Sequence, residues 1–498
     1  MEPNEVRATT SLGMFVGIRS SQVCSWKGIP YAKPIKNSLL FSQPVPETEY
    51  DSPVRAVSFS GICPQRSILR TDVSENCLTL NIWSPECDEK KRPVLFFIHG
   101  GAFSHGAGSE SYYRGEYLAK TWDIVVVTVN YRMGIFGCLD FSTVSDEFTS
   151  NNCIRDVLAA LRWVGRHIGS FGGNPELITI MGQSAGGTMV STLSVMEEAK
   201  GLFQRAVIMS GGPTQLQSLD VCRKTTDAFL NFSGLNKSKN LTSATLYDLI
   251  DLQKRFMKYY NMGSATFRIT VDNKLVRHHP IPAAQSSSPP TVPLLIGTTK
   301  EEMGFMSLKV LTKLLVDVER IIDEGLRLEH PAVRDLLYER YRRQYGPQRA
   351  KTVLYTDLLF RISSVWFAEA AGEHVPAWMY RFDYETIALR MNGMHSFHAT
   401  DLPYVFGTFK SVLVQPMFLF TMDMSEVYAV AQAIQSDVVT FMKTGKLDWP
   451  QCKKSDTPAK CYDKVCTVQP MVDQIIKDLY DITAYKSRSF SGDESHLL

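Results

Sequence analysis

The chain of 498 residues has no excess of either charge. Its 53 Lys and Arg face 51 Asp and Glu, a formal net of +2. A nucleic-acid binder carries a basic excess or stripe, so that class is excluded. No apolar run approaches the roughly 18 residues of a transmembrane helix. Cysteine is sparse, ten in all, too few for a small disulfide-stapled scaffold. The opening MEPNEVRATT lacks the basic-then-apolar pattern of a signal peptide. A cytoplasmic location is therefore expected; the alternative is a secreted protein whose signal peptide is absent from this chain. No internal repeat is evident. What the chain does have is an ordinary apolar content of 44 % and ample length for a large core, suited to a small, uncharged partner.

The densest apolar segments are short and β-branched: Val94–Ile98, Ile124–Val129, Leu177–Met181, Ala206–Met209 and Val292–Ile296. They lack clean alternation, as expected of strands buried on both faces of a parallel sheet. Between them lie helical patterns. Over Asn152–Ser170 the residues Ile154, Val157, Leu158, Leu161, Val164 and Ile168 recur on one face, and Gly172-Gly173 stops the helix. Alternating strands and helices imply an α/β fold with a mostly parallel sheet. Length alone allows about three domains, but large α/β folds use such a length as one unit. The Pro- and Ser-rich stretch His278–Pro293 reads as a surface loop. Leu311–Arg343 reads as a charged helical insertion interrupted at Pro331. The polar tail Lys486–Leu498 is expected to fray.

Two motifs carry chemistry. Leu177–Gly187 reads LITIMGQSAGG, in which a strand runs into Gly182-Gln183-Ser184-Ala185-Gly186 and a helical pattern follows. This is G-x-S-x-G between strand and helix, the context in which a serine Oγ stands clear of a sheet. Upstream, Phe96–Phe103 (FFIHGGAF) ends a strand in His-Gly-Gly-Ala. Such a loop can aim backbone N–H groups at a developing oxyanion.

These residues resemble the type B carboxylesterase family, which includes cholinesterases, liver carboxylesterases and para-nitrobenzyl esterases. The blocks Gly28–Pro34, Ser74–Trp83, Asn130-Tyr131-Arg132, Phe171–Pro175 and Met209–Pro213 match in family order, so the likeness covers nearly the whole chain. It implies one α/β-hydrolase domain over residues 1–498, with helical insertions capping the active site. It implies a Ser–Glu–His triad with Ser184 as nucleophile. The acid falls in Gly297–Glu302 (GTTKEE) at Glu302, its neighbour Glu301 reading as a solvated loop charge. The base falls in His398–Gly407 (HATDLPYVFG) at His398, with His395 as the decoy. The oxyanion hole maps onto Gly101, Ala102 and Ala185, and Gln183 and Phe103 fall beside the substrate. An ion pair between Arg132 and Asp156 is implied.

The implied activity is hydrolysis of neutral, mostly apolar esters through an acyl-enzyme. Alternatives are a lipase acting on longer chains or a non-catalytic adhesion protein of the same fold. No cofactor and no metal is expected. Cys452, Cys461 and Cys466 do not match zinc spacings. Oligomeric state stays open. The chain departs from cholinesterases in two places. Gln183 stands where they carry Glu, and no Trp lies between Cys63 and Cys77, so choline esters are not expected as the dedicated substrate. Glu75 lacks its usual Arg, because the corresponding segment is Leu39-Leu40-Phe41. Cys63 and Cys77 match a disulfide of secreted relatives, and two free thiols are equally open. Sequons at Asn231, Asn236 and Asn240 matter only in a secretory path. The aromatic and Met-rich stretches Phe256–Phe267 and Met417–Met424 could line a gorge or pack in the core.

Overall fold

A computed structural model describes residues 4–65, 72–213, 216–260, 266–287, 289–307, 326, 329–483 and 486. In chain order its strands are β1 (Glu5–Thr10), β2 (Gly13–Ser20), β3 (Val23–Pro30), β4 (Val54–Arg55), β5 (Thr79–Ser84), β6 (Arg92–Ile98), β7 (Val125–Val129), β8 (Gly173–Gln183), β9 (Arg205–Met209), β10 (Leu216–Ser218), β11 (Ile269–Val271), β12 (Leu294–Thr299), β13 (Ala377–Phe382), β14 (Pro458–Tyr462) and β15 (Thr467–Pro470). One large sheet runs β1-β2-β3-β5-β7-β6-β8-β9-β12-β13-β14-β15, with β4 beside β2. Its centre, from β7 through β14, is parallel. Both edges are antiparallel.

The missing alternation in the central strands has its expected cause. Along β6, Val94, Phe96 and Ile98 enter one core while Leu95 and Phe97 enter the other. The helix Asn152–His167 covers the first face with Ile154, Val157, Leu158, Leu161 and Val164. The helix Ser425–Thr444 covers the second with Val427, Val430, Ile434 and Val438. Gly172, at φ 83°, ends the turn after the first helix as the sequence indicated. The fold is thus an α/β-hydrolase sandwich of helix, sheet and helix.

Two readings change. His278–Pro293 is no plain surface loop: it holds a helical turn, Pro280–Pro282, and a π-helical turn, Ala283–Ser287. Ile281, Ala283 and Ala284 are buried in the core, because an apolar stretch led by Pro at N1 is preset for a turn of helix. Pro331 starts the helix Pro331–Thr356 rather than interrupting one; the kink falls at Gly346-Pro347, where Gly346 has φ 75°. Of the charged insertion, 311–325 and 327–328 lie outside the described residues, as do 487–498 of the tail.

Arg132 and Asp156 are both fully buried and meet twice, Nη2–Oδ1 at 2.6 Å and Nε–Oδ2 at 2.8 Å. Arg132 Nη1 also donates to the carbonyls of Leu39, Leu40 and Ser42 at 2.9, 3.2 and 2.7 Å. The Leu39–Phe41 segment that lacks the family's arginine is therefore held by its backbone instead. Glu75 is half-buried and forms no ion pair with a described residue. Asp156→Ala leaves a dry guanidinium without its counter-ion, and is expected to cost about 3–5 kcal/mol of unfolding free energy. Urea titration measures it. A loss under about 1 kcal/mol would mean that the three carbonyls suffice, since that is the range of ordinary single hydrogen bonds. Cys63 and Cys77 are free, buried thiols, Cys63 Sγ lying 3.8 Å from the Cys77 carbonyl. The three sequon asparagines are exposed.

Candidate active site

The site assembles at the C-terminal ends of the parallel strands. β8 stops at Gln183, and Ser184 turns the chain into the helix Ala185–Leu193. Ser184 has φ 57° and ψ −125°, a strained conformation held by its N–H donating to the Met209 carbonyl at 2.9 Å. The turn leaves no room for Cβ atoms. One on Gly182 would lie 2.2 Å from the Gly186 carbonyl, and one on Gly186 would lie 2.1 Å from that of Ile98.

β6 pairs with β8 so that Ile98 lies opposite Gly182. The His99–Gly101 loop is thereby delivered beside the serine. Gly101, Ala102 and Phe103 take successive positive φ values of 117°, 50° and 54°. The N–H groups of Gly101, Ala102 and Ala185 donate to no described residue. Ala185 opens the helix Ala185–Leu193, and a helix N-terminus favours negative charge. Phe103 is fully buried in the core, and its carbonyl accepts from Gly134 N–H at 2.6 Å.

The acid follows β12 and the histidine follows β13, and the two loops are stitched together. Glu301 N–H donates to the Ser396 carbonyl at 3.0 Å, and His398 N–H to that of Glu302 at 2.9 Å. Glu302 is fully buried. Its Oε2 accepts from His398 Nδ1 at 2.6 Å, and its Oε1 accepts from Ser210 Oγ and from Thr299 N–H, each at 2.6 Å. A carboxylate can only accept, so Nδ1 carries the ring proton and Nε2 keeps its lone pair. That lone pair meets the Gln183 amide Nε2 at 3.1 Å. Gln183 is thus in contact with the histidine. No hydrogen bond joins Ser184 Oγ to His398 among the described residues. Phe360 lies against the imidazole with ring centroids 4.7 Å apart. Phe360 belongs to the π-helical turn Asp357–Arg361.

His395 is turned away, its Nδ1 on Glu385 Oε2 at 2.7 Å. Glu301 is not a solvated charge: it is 2 % exposed and paired with Arg349. Neither residue joins the cluster. Of the stretches considered for a gorge, Phe256 packs in the core against Phe229 and Tyr260, 261–265 lie outside the described residues, and Leu419, Phe420 and Met422 face solvent. The supporting roles of Ser210 and Phe360 were not foreseen. Ser210 sits inside the Met209–Pro213 block already singled out, so its position was a usable signal. Phe360 had none.

A second buried carboxyl stands behind the first. Tyr380 O–H donates to Asp401 Oδ2 at 3.0 Å. Burial, and then the charge of Glu302, pushes the Asp401 carboxyl up to about 7. The folded chain therefore holds this proton at a pH where the unfolded chain has released it. The stability this group contributes is complete below about pH 4 and is lost as pH rises through about 7. Asp401→Asn keeps the acceptor for Tyr380 and cannot ionise. Relative to the native chain it should gain stability as pH rises from about 4 to 7, by at most about 1.4 kcal/mol per pH unit. Thermal melts of both proteins across that range test this; a difference independent of pH would refute it.

Sequence and fold are similar to those of known proteins. The profile of the carboxylesterase family matches residues 4–467. Para-nitrobenzyl esterase of Bacillus subtilis (strain 168) is 34 % identical over 478 residues, covering 93 % of this chain and 95 % of that protein. Carboxylesterase 1C of Rattus norvegicus is 29 % identical over 440 residues, with 80 % and 78 % covered. Among solved structures, a carboxylesterase of Geobacillus stearothermophilus superposes with a TM-score of 0.84 at 32 % identity, covering 95 % of this chain and 99 % of its own. A para-nitrobenzyl esterase does so with a TM-score of 0.81 at 30 % identity and the same coverage. With a family profile spanning most of its length, a sheet order that superposes on these esterases and a serine at the strand-to-helix turn, the chain belongs to the carboxylesterase family.

Proposed function

We propose that the protein is a serine carboxylesterase in which Ser184 is the nucleophile, His398 the general base and Glu302 the residue that orients it. The observation that carries this reading is the Glu302–His398 bond, which fixes the imidazole tautomer with its lone pair outward, beside a serine on a strained turn. Nε2 leaves Gln183 and takes the Ser184 proton as Oγ attacks the ester carbonyl. Triad contacts that are loose in a free enzyme tighten once substrate fills the site. The carbonyl oxygen becomes an oxyanion and is met by the N–H groups of Gly101, Ala102 and Ala185. The imidazolium then gives its proton to the departing alkoxide, leaving an acyl-enzyme. Water, deprotonated by the same Nε2, attacks this ester and releases the acid.

The substrate class we infer is a neutral ester with apolar groups. Gln183 places no charge beside the nucleophile, and the Cys63–Cys77 segment offers no Trp to a quaternary ammonium. The test pairs a choline ester with its uncharged tert-butylethyl isostere, alongside para-nitrophenyl esters of increasing acyl length. The expected result is a higher kcat/KM for the uncharged isostere, with activity on dissolved short-chain esters. A preference for the choline ester overturns the substrate class. Activity only on emulsified long chains would identify a lipase instead.

A further inference from the structure

Cys24 lies in β3 opposite Ser84 of β5, where the two strands pair antiparallel. After Ser84 the chain brings Glu86 and Cys87 to the start of β3. The two Sγ atoms and a Glu86 carboxylate oxygen then all lie within 4.8 Å of one another. Among the described residues this is the only such grouping of three His, Cys, Asp or Glu side chains. We propose that Cys24, Glu86 and Cys87 bind a thiophilic divalent cation, zinc being the natural ion for two thiolates and a carboxylate.

Geometry supports three ligands and an open fourth position. Zinc bonds of about 2.3 Å to sulfur and 2.0–2.2 Å to oxygen put tetrahedral ligands roughly 3.5–3.8 Å apart. Cys24 Sγ and Glu86 Oε1 are already 3.9 Å apart. Cys24 is fully buried, whereas Glu86 and Cys87 are half-buried, so an ion can enter from one side and keep a water there.

The turn is held in place by its surroundings. Ser84 Oγ donates to the Glu86 carbonyl at 2.8 Å, and Arg92 clasps Asp88 just beyond, Nη2–Oδ2 at 2.9 Å. Gly172 leaves the space this turn occupies: a Cβ there would lie 2.2 Å from the Glu86 carbonyl. Arg19 pairs with Glu86 Oε1, which also accepts Cys87 N–H at 3.3 Å, and these contacts hold the carboxylate beside Cys24 Sγ. Such an outer partner orients a ligand. It also balances charge. Two thiolates and a carboxylate around a divalent ion sum to −1, and the Arg19 guanidinium brings the assembly to zero. Binding releases the two thiol protons and changes no oxidation state.

The site is remote from the chemistry. Trp83 pairs with Val126 at the start of β7, whereas Ser184 follows the end of β8. Its effect is to fasten the antiparallel edge of the sheet. The ligands escape a search for zinc spacings because Cys24 and Glu86 are 62 residues apart and meet only through strand pairing.

The experiment is a titration of the full chain, reduced and stripped with chelator, with cadmium as the spectroscopic probe and zinc as competitor. A thiolate-to-cadmium absorption band saturating at one ion per chain is expected, displaced by zinc, with a rise in melting temperature. Cys87→Ala and Cys24→Ser should abolish it, and Glu86→Gln should weaken it at least ~tenfold, as loss of even a supporting group does in metal sites. Ester hydrolysis should be unchanged in all three variants, which also reports that they fold. Because Cys87 and Glu86 are half-buried, those two variants keep the test intact if Cys24→Ser does not fold. No band in the native chain, or an undiminished band in Cys87→Ala, overturns the proposal.

Discussion

Ser184→Ala should lower kcat for para-nitrophenyl ester hydrolysis by a factor on the order of 10⁶, the size of loss when the nucleophile of a hydrolytic triad is removed. It should also abolish covalent labelling by an organophosphate probe. The substitution is clean for structural reasons. Alanine suffers no more than serine at φ 57°, because both carry one Cβ there, and the fold of the turn is set by glycines at 182 and 186. Ser184 Oγ makes no hydrogen bond to a described residue that the change would break. The three backbone donors around Gly101 and Ala185 remain, so residual catalysis over water of roughly 10³–10⁴ is expected from them and from binding. Melting temperature should be nearly unmoved. His395→Ala, by contrast, removes only the contact with Glu385 and should retain most of the activity. A Ser184→Ala protein that still labels, or that loses less than tenfold, would place the nucleophile elsewhere.

How much of this was legible in the sequence depended on which constraint each residue obeys. The serine turn could be read because its demands are steric and local. Gly182 and Gly186 are required wherever a strand folds directly back into a helix, and they sit two residues either side of Ser184. The central strands could be read because burial on both faces leaves them dense in apolar residues. The edge strands could not. β1 is half-exposed and polar and β15 is exposed throughout, so no apolar density marks them. Glu302 and His398 were found through blocks of resemblance, since neither residue has a local pattern of its own. Their outer contacts were hidden for the opposite reason. Ser210 reaches Glu302 from the next strand, and Phe360 reaches His398 from the π-helical turn Asp357–Arg361, so each depends on how separate segments meet. Gln183 shows the last limit. Its neutral character was readable, but its hydrogen bond to His398 depends on a rotamer that only the assembled site fixes.

Glu302→Gln should lower kcat/KM by about 10⁴, although it changes one atom and leaves the packing intact. The amide is forced into one orientation by its neighbours. Thr299 N–H can only donate, and it points at the Oε1 position from 2.6 Å. The glutamine carbonyl must therefore occupy that position, where Ser210 Oγ can also continue to donate. This leaves the NH₂ group facing His398 Nδ1. Two donors cannot face each other at the 2.6 Å now separating His398 Nδ1 from Oε2. The imidazole must then move its proton to Nε2, where the Gln183 amide already points a second donor. A histidine with Nε2 protonated cannot accept the Ser184 proton, and no negative charge remains to stabilise the imidazolium. The same swap of tautomer, with geometry preserved, costs a serine protease triad about 10⁴ in kcat. Ser210→Ala should not share this effect, because Thr299 N–H alone still holds Oε1. Expected losses are therefore large for Glu302→Gln and modest for Ser210→Ala, with organophosphate labelling slowed in the same order. Equal, small losses in both variants would mean that Glu302 serves the fold and that another group orients His398.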